Sequence, residues 1–137
     1  MPVEFRKVIT RKMLQDEPNT LFIFGDNLMR RGLGGQAKEM RGEPNAIGLP
    51  TKHAPSMDED SFFTEDDIKF LMEPVAVIIS KLVSHLENGG TVVWPQDGVG
   101  TGRAELKKRA PNIYCLYENV LKTLLVMSGD QLNVSKH

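Results

Sequence analysis

Two short apolar runs, Thr20 to Phe24 (TLFIF) and Thr91 to Trp94 (TVVW), each lead almost at once into a glycine-rich loop. Runs this short, this rich in strand formers and without polar alternation suit strands buried on both faces, as in a parallel sheet. Asn19 and Gly25-Asp26-Asn27 bound the first run, and Gly89-Gly90 and Pro95 bound the second. Both loops then leave the carboxyl ends of strands, where open α/β sheets bind their ligands.

The rest of the chain fills in around these strands. Phe5 to Thr10 reads as an edge strand, and Ala46 to Pro50 as a further strand ended by a proline that cannot donate to a central ladder. A long helix is expected from Thr64, with Asp67 three positions on as a capping box, and Ile68, Leu71, Val75, Ile78, Ile79, Leu82 and Leu86 at helical spacing. Pro74 should kink or split it, and Asn88-Gly89-Gly90 should end it. Arg103 to Lys108 suggests a helical turn, and Pro111 opens a last amphipathic helix carrying Ile113, Leu116, Tyr117, Val120, Leu121 and Leu124. This alternation predicts an α/β domain with a largely parallel sheet and helices on both faces. Residues 1–127 are expected to form one domain, and 128–137 a flexible polar tail.

Bulk properties narrow the function classes. A net charge of −1 gives no global attraction to nucleic acid or anionic membrane. Cys115 is the only cysteine, which excludes an intramolecular disulfide and a cysteine-based zinc site. No apolar run approaches the roughly 20 residues of a membrane span, and the start lacks signal-peptide character, so a cytoplasmic protein is expected. His53, with no evident partner, and His85 and His137, read as helix surface and tail, are too scattered for a metal site.

The first loop, Gly25 to Ala37, has three glycines within Gly32-Leu33-Gly34-Gly35. They let the backbone approach a ligand, and a helix starting just after Gly35 would aim free N–H groups at anionic oxygens. Asp26 or Asn27 is placed to hold a ribose hydroxyl or an adenine amine. The second loop alternates Gly98-Val99-Gly100-Thr101-Gly102, a pattern able to form an anion-binding nest of backbone amides, with the Thr101 hydroxyl in addition. Asp97 would oppose a phosphate and is assigned to a sugar or water. Neither loop is a P-loop or a dinucleotide fingerprint, since G-x-x-x-x-G-K-[ST] is absent and the G-x-G-x-x-G spacing is not met. Between the loops, Leu49-Pro50-Thr51-Lys52-His53 puts a lysine at a strand end on the same rim, able to pair with a phosphate or to act as an amine nucleophile.

Taken together, these segments resemble the macro-domain superfamily of ADP-ribose-binding α/β modules, nearest the branch of DarG-type DNA-ADP-ribosyl glycohydrolases and their phage and bacterial relatives. Phe24-Gly25-Asp26-Asn27-Leu28, Gly32-Leu33-Gly34-Gly35-Gln36-Ala37, Leu49-Pro50-Thr51-Lys52 and Trp94-Pro95 through Gly102 carry the likeness. The resemblance implies a three-layer α/β/α fold. It implies that the Gly98 to Gly102 amides cradle a diphosphate, that Gly32 to Gln36 wrap the distal ribose near Asn27, and that Lys52 attacks the anomeric carbon of an ADP-ribosyl group. The chain departs from the hydrolytic pattern where Gly102 replaces an aspartate and where His53-Ala54-Pro55 replaces an aromatic after P-T-K.

The candidate ligand-binding set is therefore Asp26, Asn27, Gly32, Gly34, Gly35, Gln36, Thr51, Gly98, Val99, Gly100, Thr101, Gly102 and Arg103. Candidate catalytic residues are Lys52, with Asp97 or Glu105 as general acid/base. No metal or cofactor is assigned. The expected partner is ADP-ribose or a similar nucleotide, free or attached to protein or nucleic acid, and the oligomeric state stays open. The competing functions are an ADP-ribosyl hydrolase, a module that binds without turnover, and a protein–protein element whose glycine loops are only turns.

Overall fold

The computed structural model describes residues 2–129. The tail expected over 128–137 lies, from 130 onward and including His137, outside the described residues. Four strands, β1 (Val3–Arg6), β2 (Thr20–Asn27), β3 (Ala46–Lys52) and β4 (Thr91–Pro95), form one sheet in the order β1-β4-β2-β3. Every neighbouring pair is parallel. The helices are α1 (Arg11–Asp16), α2 (Ala37–Met40), α3 (Ile68–Glu87), α4 (Leu106–Arg109) and α5 (Pro111–Met127).

The two apolar runs occupy the two central strands. Along β2, Leu21 and Ile23 enter the larger core with α3 and α5, while Phe22 and Phe24 enter a smaller core with Leu14 of α1 and Ala37 and Met40 of α2. In β4, Val92 and Trp94 point to the larger core and Val93 to the smaller. This period-two division of apolar side chains is what needs helices on both faces. The result is a three-layer α/β/α arrangement, as expected from the alternation of elements.

The two outer strands differ from the central pair. Pro50 lies within β3, not at its end, and is tolerated there because β3 is an edge strand. The Arg30 guanidinium donates to the Gly48 carbonyl at 2.8 Å, and the Tyr117 hydroxyl donates to the Pro50 carbonyl. On the opposite edge, Arg6 of β1 pairs with Glu4 and with Glu17.

Several local expectations are corrected. The first strand stops at Arg6, not Thr10; Thr10 instead caps α1, its hydroxyl accepting from the Met13 N–H at 3.3 Å. Pro74 does not split α3, which runs unbroken from Ile68 to Glu87. The carbonyl that Pro74 leaves without a donor belongs to Phe70, a residue 66% exposed on the solvent side of the helix, where water can serve it. His85 is not plain helix surface: its ring folds over Gly90, where no Cβ would fit. The Thr64–Asp67 capping box is present, on a 3₁₀ turn over Glu65–Asp67 that runs into α3. Gly89 ends the helix with φ +84°, the left-handed geometry expected there.

The chain leaves β2 toward α2 on one face and leaves β4 toward α4 and α5 on the other. Adjacent parallel strands whose connections diverge to opposite faces open a crevice at their carboxyl ends, the topological switch point of such sheets.

Candidate functional site

A cleft of about 550 Å³ occupies that crevice. The end of β2 supplies Gly25, Asp26 and Asn27; the first glycine loop supplies Gly32, Gly34, Gly35 and Gln36. The end of β3 supplies Thr51 and Lys52, and the second loop supplies Gly98, Gly100, Thr101, Gly102 and Arg103. Segments far apart in sequence thus meet at one place. Gly25 allows it: a Cβ there would stand 3.2 Å from Thr51 Cγ2 and 3.6 Å from the Gly100 nitrogen.

The second loop presents its backbone. Gly98 and Gly100 take positive φ, 91° and 78°, on either side of Val99, which does not. Gly98 N–H is used by the Pro95 carbonyl, but the N–H groups of Val99 through Ala104 donate no hydrogen bond among the described residues. Val99 and Leu106 anchor the loop, their side chains buried in the larger core. Val99 therefore can contribute only backbone to a ligand. The N–H groups of Gly32 through Gln36 in the first loop are likewise without acceptors, while the Gln36 side chain is spent on the Ile9 carbonyl at 2.9 Å.

Asp26 has a different place from the one expected of a sugar ligand. Its carboxylate is buried and gripped by Arg41 through both Oδ atoms, with Arg30 at 3.3 Å and the Asn27 N–H at 2.8 Å. Thr51 donates its hydroxyl to the Asp26 carbonyl at 3.0 Å. Both residues brace the cleft. Asn27 donates its Nδ2 to the Arg31 carbonyl at 2.8 Å, which fixes the amide orientation, and its buried Oδ1 accepts nothing among the described residues.

Lys52 lines the cleft and is 7% exposed. Its ammonium donates to the Ser56 carbonyl, lies 3.6 Å from Met57 Sδ and sits 4.6 Å from the centre of the Phe62 ring. Burial, and then the guanidinium groups of Arg103 and Arg109, hold it below the ordinary lysine pKa, against a weaker pull from Glu105. The candidate acid/base residues do not join it in the cleft. Asp97 is exposed, and Glu105, in a left-handed conformation at φ 50°, turns toward Lys108 and Arg109 at 3.8 Å.

Sequence reasoning missed the cations Arg31 and Arg41. Arg41 also donates to the carbonyls of Gly32 and Arg31, at 2.8 and 3.2 Å, and so sets the first loop. The whole connector Arg41 to Ala46 is bonded into place. Glu43 pairs with Arg11 at 2.7 Å, and Asn45 donates to the carbonyls of Leu14, Glu17 and Thr20, each at 3.0 Å. His53, too, has a partner, Asp67 at 3.1 Å.

A family model matches residues 4–119, a span that holds every strand-end and loop residue of the cleft. The chain belongs to DUF7831, a family of unknown function. No curated protein and no solved structure matches it. Among the described residues of this DUF7831 chain, no helix is long and apolar enough to cross a membrane, and no group of three or more His, Cys, Asp and Glu is placed to hold a metal ion.

Proposed function

We propose that the cleft binds a phosphate-bearing nucleotide, ADP-ribose or a close relative. The observation that carries this reading is the run of unbonded N–H groups from Val99 to Ala104, curled by the positive φ of Gly98 and Gly100. Consecutive amides so arranged form a concave site for anionic oxygens. The cleft's charge agrees: Arg31, Arg41, Lys52 and Arg103 line it against Asp26 alone. The orphan Oδ1 of Asn27 favours a ligand that also carries a donor, a sugar hydroxyl or a base amine. Residence in the cytoplasm belongs to the same proposal and rests on the lone cysteine.

A hydrolytic version of this reading draws on Lys52, an amine kept below its usual pKa on the cleft wall. Binding without turnover is the version the geometry favours, because Asp97 and Glu105 lie outside the cleft lining.

Titration calorimetry with ADP-ribose, with AMP and NAD as comparison ligands, tests the proposal. Affinity in the micromolar range for ADP-ribose is expected; absence of heat with all three ligands overturns it. Release of ADP-ribose from a modified DNA or protein that Lys52→Ala abolishes, with affinity retained, would convert the binding module into an enzyme.

A further inference from the structure

We infer that Arg103 is the residue by which this cleft selects a nucleotide diphosphate over a monophosphate, an inference that rests on the nucleotide reading above. Arg103 belongs to the second loop, yet its guanidinium lies against the first: a Cβ on Gly34 would stand 2.8 Å from Arg103 Nη1. Gly34 is not in the left-handed region, so its backbone does not demand glycine. What a side chain there would displace is the guanidinium.

The cations of the cleft divide by their commitments. Arg41 is bound to Asp26, and Lys52 to the Ser56 carbonyl and the Phe62 face. Arg103 is exposed and its guanidinium donates no hydrogen bond among the described residues, so its donors are open to water and to the cleft it lines. Its charge also acts on Lys52, helping to hold that ammonium below its ordinary range. The cleft therefore contains two separate elements that seek anions. One is the amide run of Val99 to Ala104; the other is the guanidinium laid beside Gly34, among unbonded N–H groups of the first loop. Two linked phosphates offer an anion to each. A single phosphate on the second-loop amides leaves the guanidinium without one.

Arg31 separates bridging from mere charge. It is a cation of the same cleft, exposed on the first loop, and its guanidinium donates no hydrogen bond among the described residues.

The test measures affinity for ADP-ribose and for AMP in the unmodified protein and in Arg103→Ala, Arg103→Lys, Arg31→Ala, Gly34→Ala and the Gly34→Ala/Arg103→Ala pair, with circular dichroism to establish folding. Loss of a charge-assisted, forked contact predicts that Arg103→Ala weakens ADP-ribose about tenfold or more and AMP less than about threefold. Arg103→Lys should restore only part, since an ammonium lacks the planar fork. Arg31→Ala should weaken both ligands by similar factors. Gly34→Ala should weaken ADP-ribose in the Arg103 background and change nothing in the Arg103→Ala background, as coupled neighbours do. Equal losses for both ligands in Arg103→Ala, no loss, or a Gly34 effect that survives without Arg103 overturn the inference alone. An unmodified protein that binds neither ligand overturns the nucleotide reading, and the inference with it.

Discussion

Arg41 grips Asp26 from the side, Nη2 on Oδ1 at 2.5 Å and Nη1 on Oδ2 at 3.1 Å, and joins the end of β2 to the loop that follows it. The carboxylate side chain is only 3% exposed, so its charge depends on these donors in place of water. Removing one partner of a buried pair leaves an uncompensated charge, which costs about 3 kcal/mol or more. Arg41→Ala is expected to lower folding stability by about that amount in urea denaturation. A loss under about 1 kcal/mol would mean that Arg30 alone suffices to hold Asp26.

The glycines of the second loop should divide sharply. Gly100 has φ +78° and no room for a Cβ against the Leu106 side chain, whereas Gly102 has no atom within 4 Å of that position and no positive φ. Gly100→Ala is expected to cost about 2 kcal/mol or more and to weaken anion binding, while Gly102→Ala stays within about 0.5 kcal/mol of the unmodified protein. Thermal unfolding of the two variants side by side decides it. Equal effects would contradict the loop geometry described above.

Acid should act through Asp67. Burial pushes its carboxyl up, but the Thr64 N–H and the His53 ring outweigh burial and hold it below the usual value. A carboxyl depressed in the folded state adds stability above its unfolded pKa, about 3.9, and loses it as pH falls through the folded value. Asp67→Asn is therefore expected to lower stability at neutral pH, the gap narrowing as pH falls below about 4 and closing only once it has passed the lower folded value. Denaturant titrations across that range should show two curves that meet. Parallel curves would remove Asp67 from the acid response.

Lys52 is expected to titrate at lower pH than the exposed lysines in NMR spectra of ¹³C-labelled side chains. Burial is the first cause and Arg103 the second, so Arg103→Ala should move it part of the way back up. Because the unfolded lysine holds its proton more tightly, stability should also rise with pH between the folded and unfolded values. A Lys52 resonance that tracks the surface lysines would disprove the depressed amine.

The parts of this fold that were legible in the chain are those governed by local rules. TLFIF and TVVW announced central strands because nothing polar interrupts them, and the loops that follow were bound to share a rim once both strands were parallel. The capping box at Thr64 and the proline at the start of α5 depend only on near neighbours. What stayed hidden depends on distance. Arg41 shows itself as a cleft residue through Asp26 and the carbonyls of Arg31 and Gly32, 9 to 15 positions earlier, and Asn45 through carbonyls 25 to 31 positions earlier. The orientation of Glu105 was equally out of reach, since nothing in the identity of a glutamate calls for a left-handed backbone or for a turn toward Arg109. Helix α1 is too short for hydrophobic periodicity to declare it, and only the Thr10 cap marks its start.

The closed margins of the sheet bear on how the protein behaves in a crowded solution. TLFIF and TVVW are apolar, uncharged and strand-forming, a composition that tends to stack into fibrils when it is exposed. The order β1-β4-β2-β3 buries both between margins that a foreign strand cannot easily extend. On one side stand Glu4, Arg6 and Glu17. On the other, Pro50 offers no N–H, and Arg30 and Tyr117 already occupy the carbonyls of Gly48 and Pro50. Arg30 thus does two jobs with one guanidinium, steadying the Asp26 carboxylate on the wall of the cleft and occupying a carbonyl on the rim of β3 that a neighbour's strand would need.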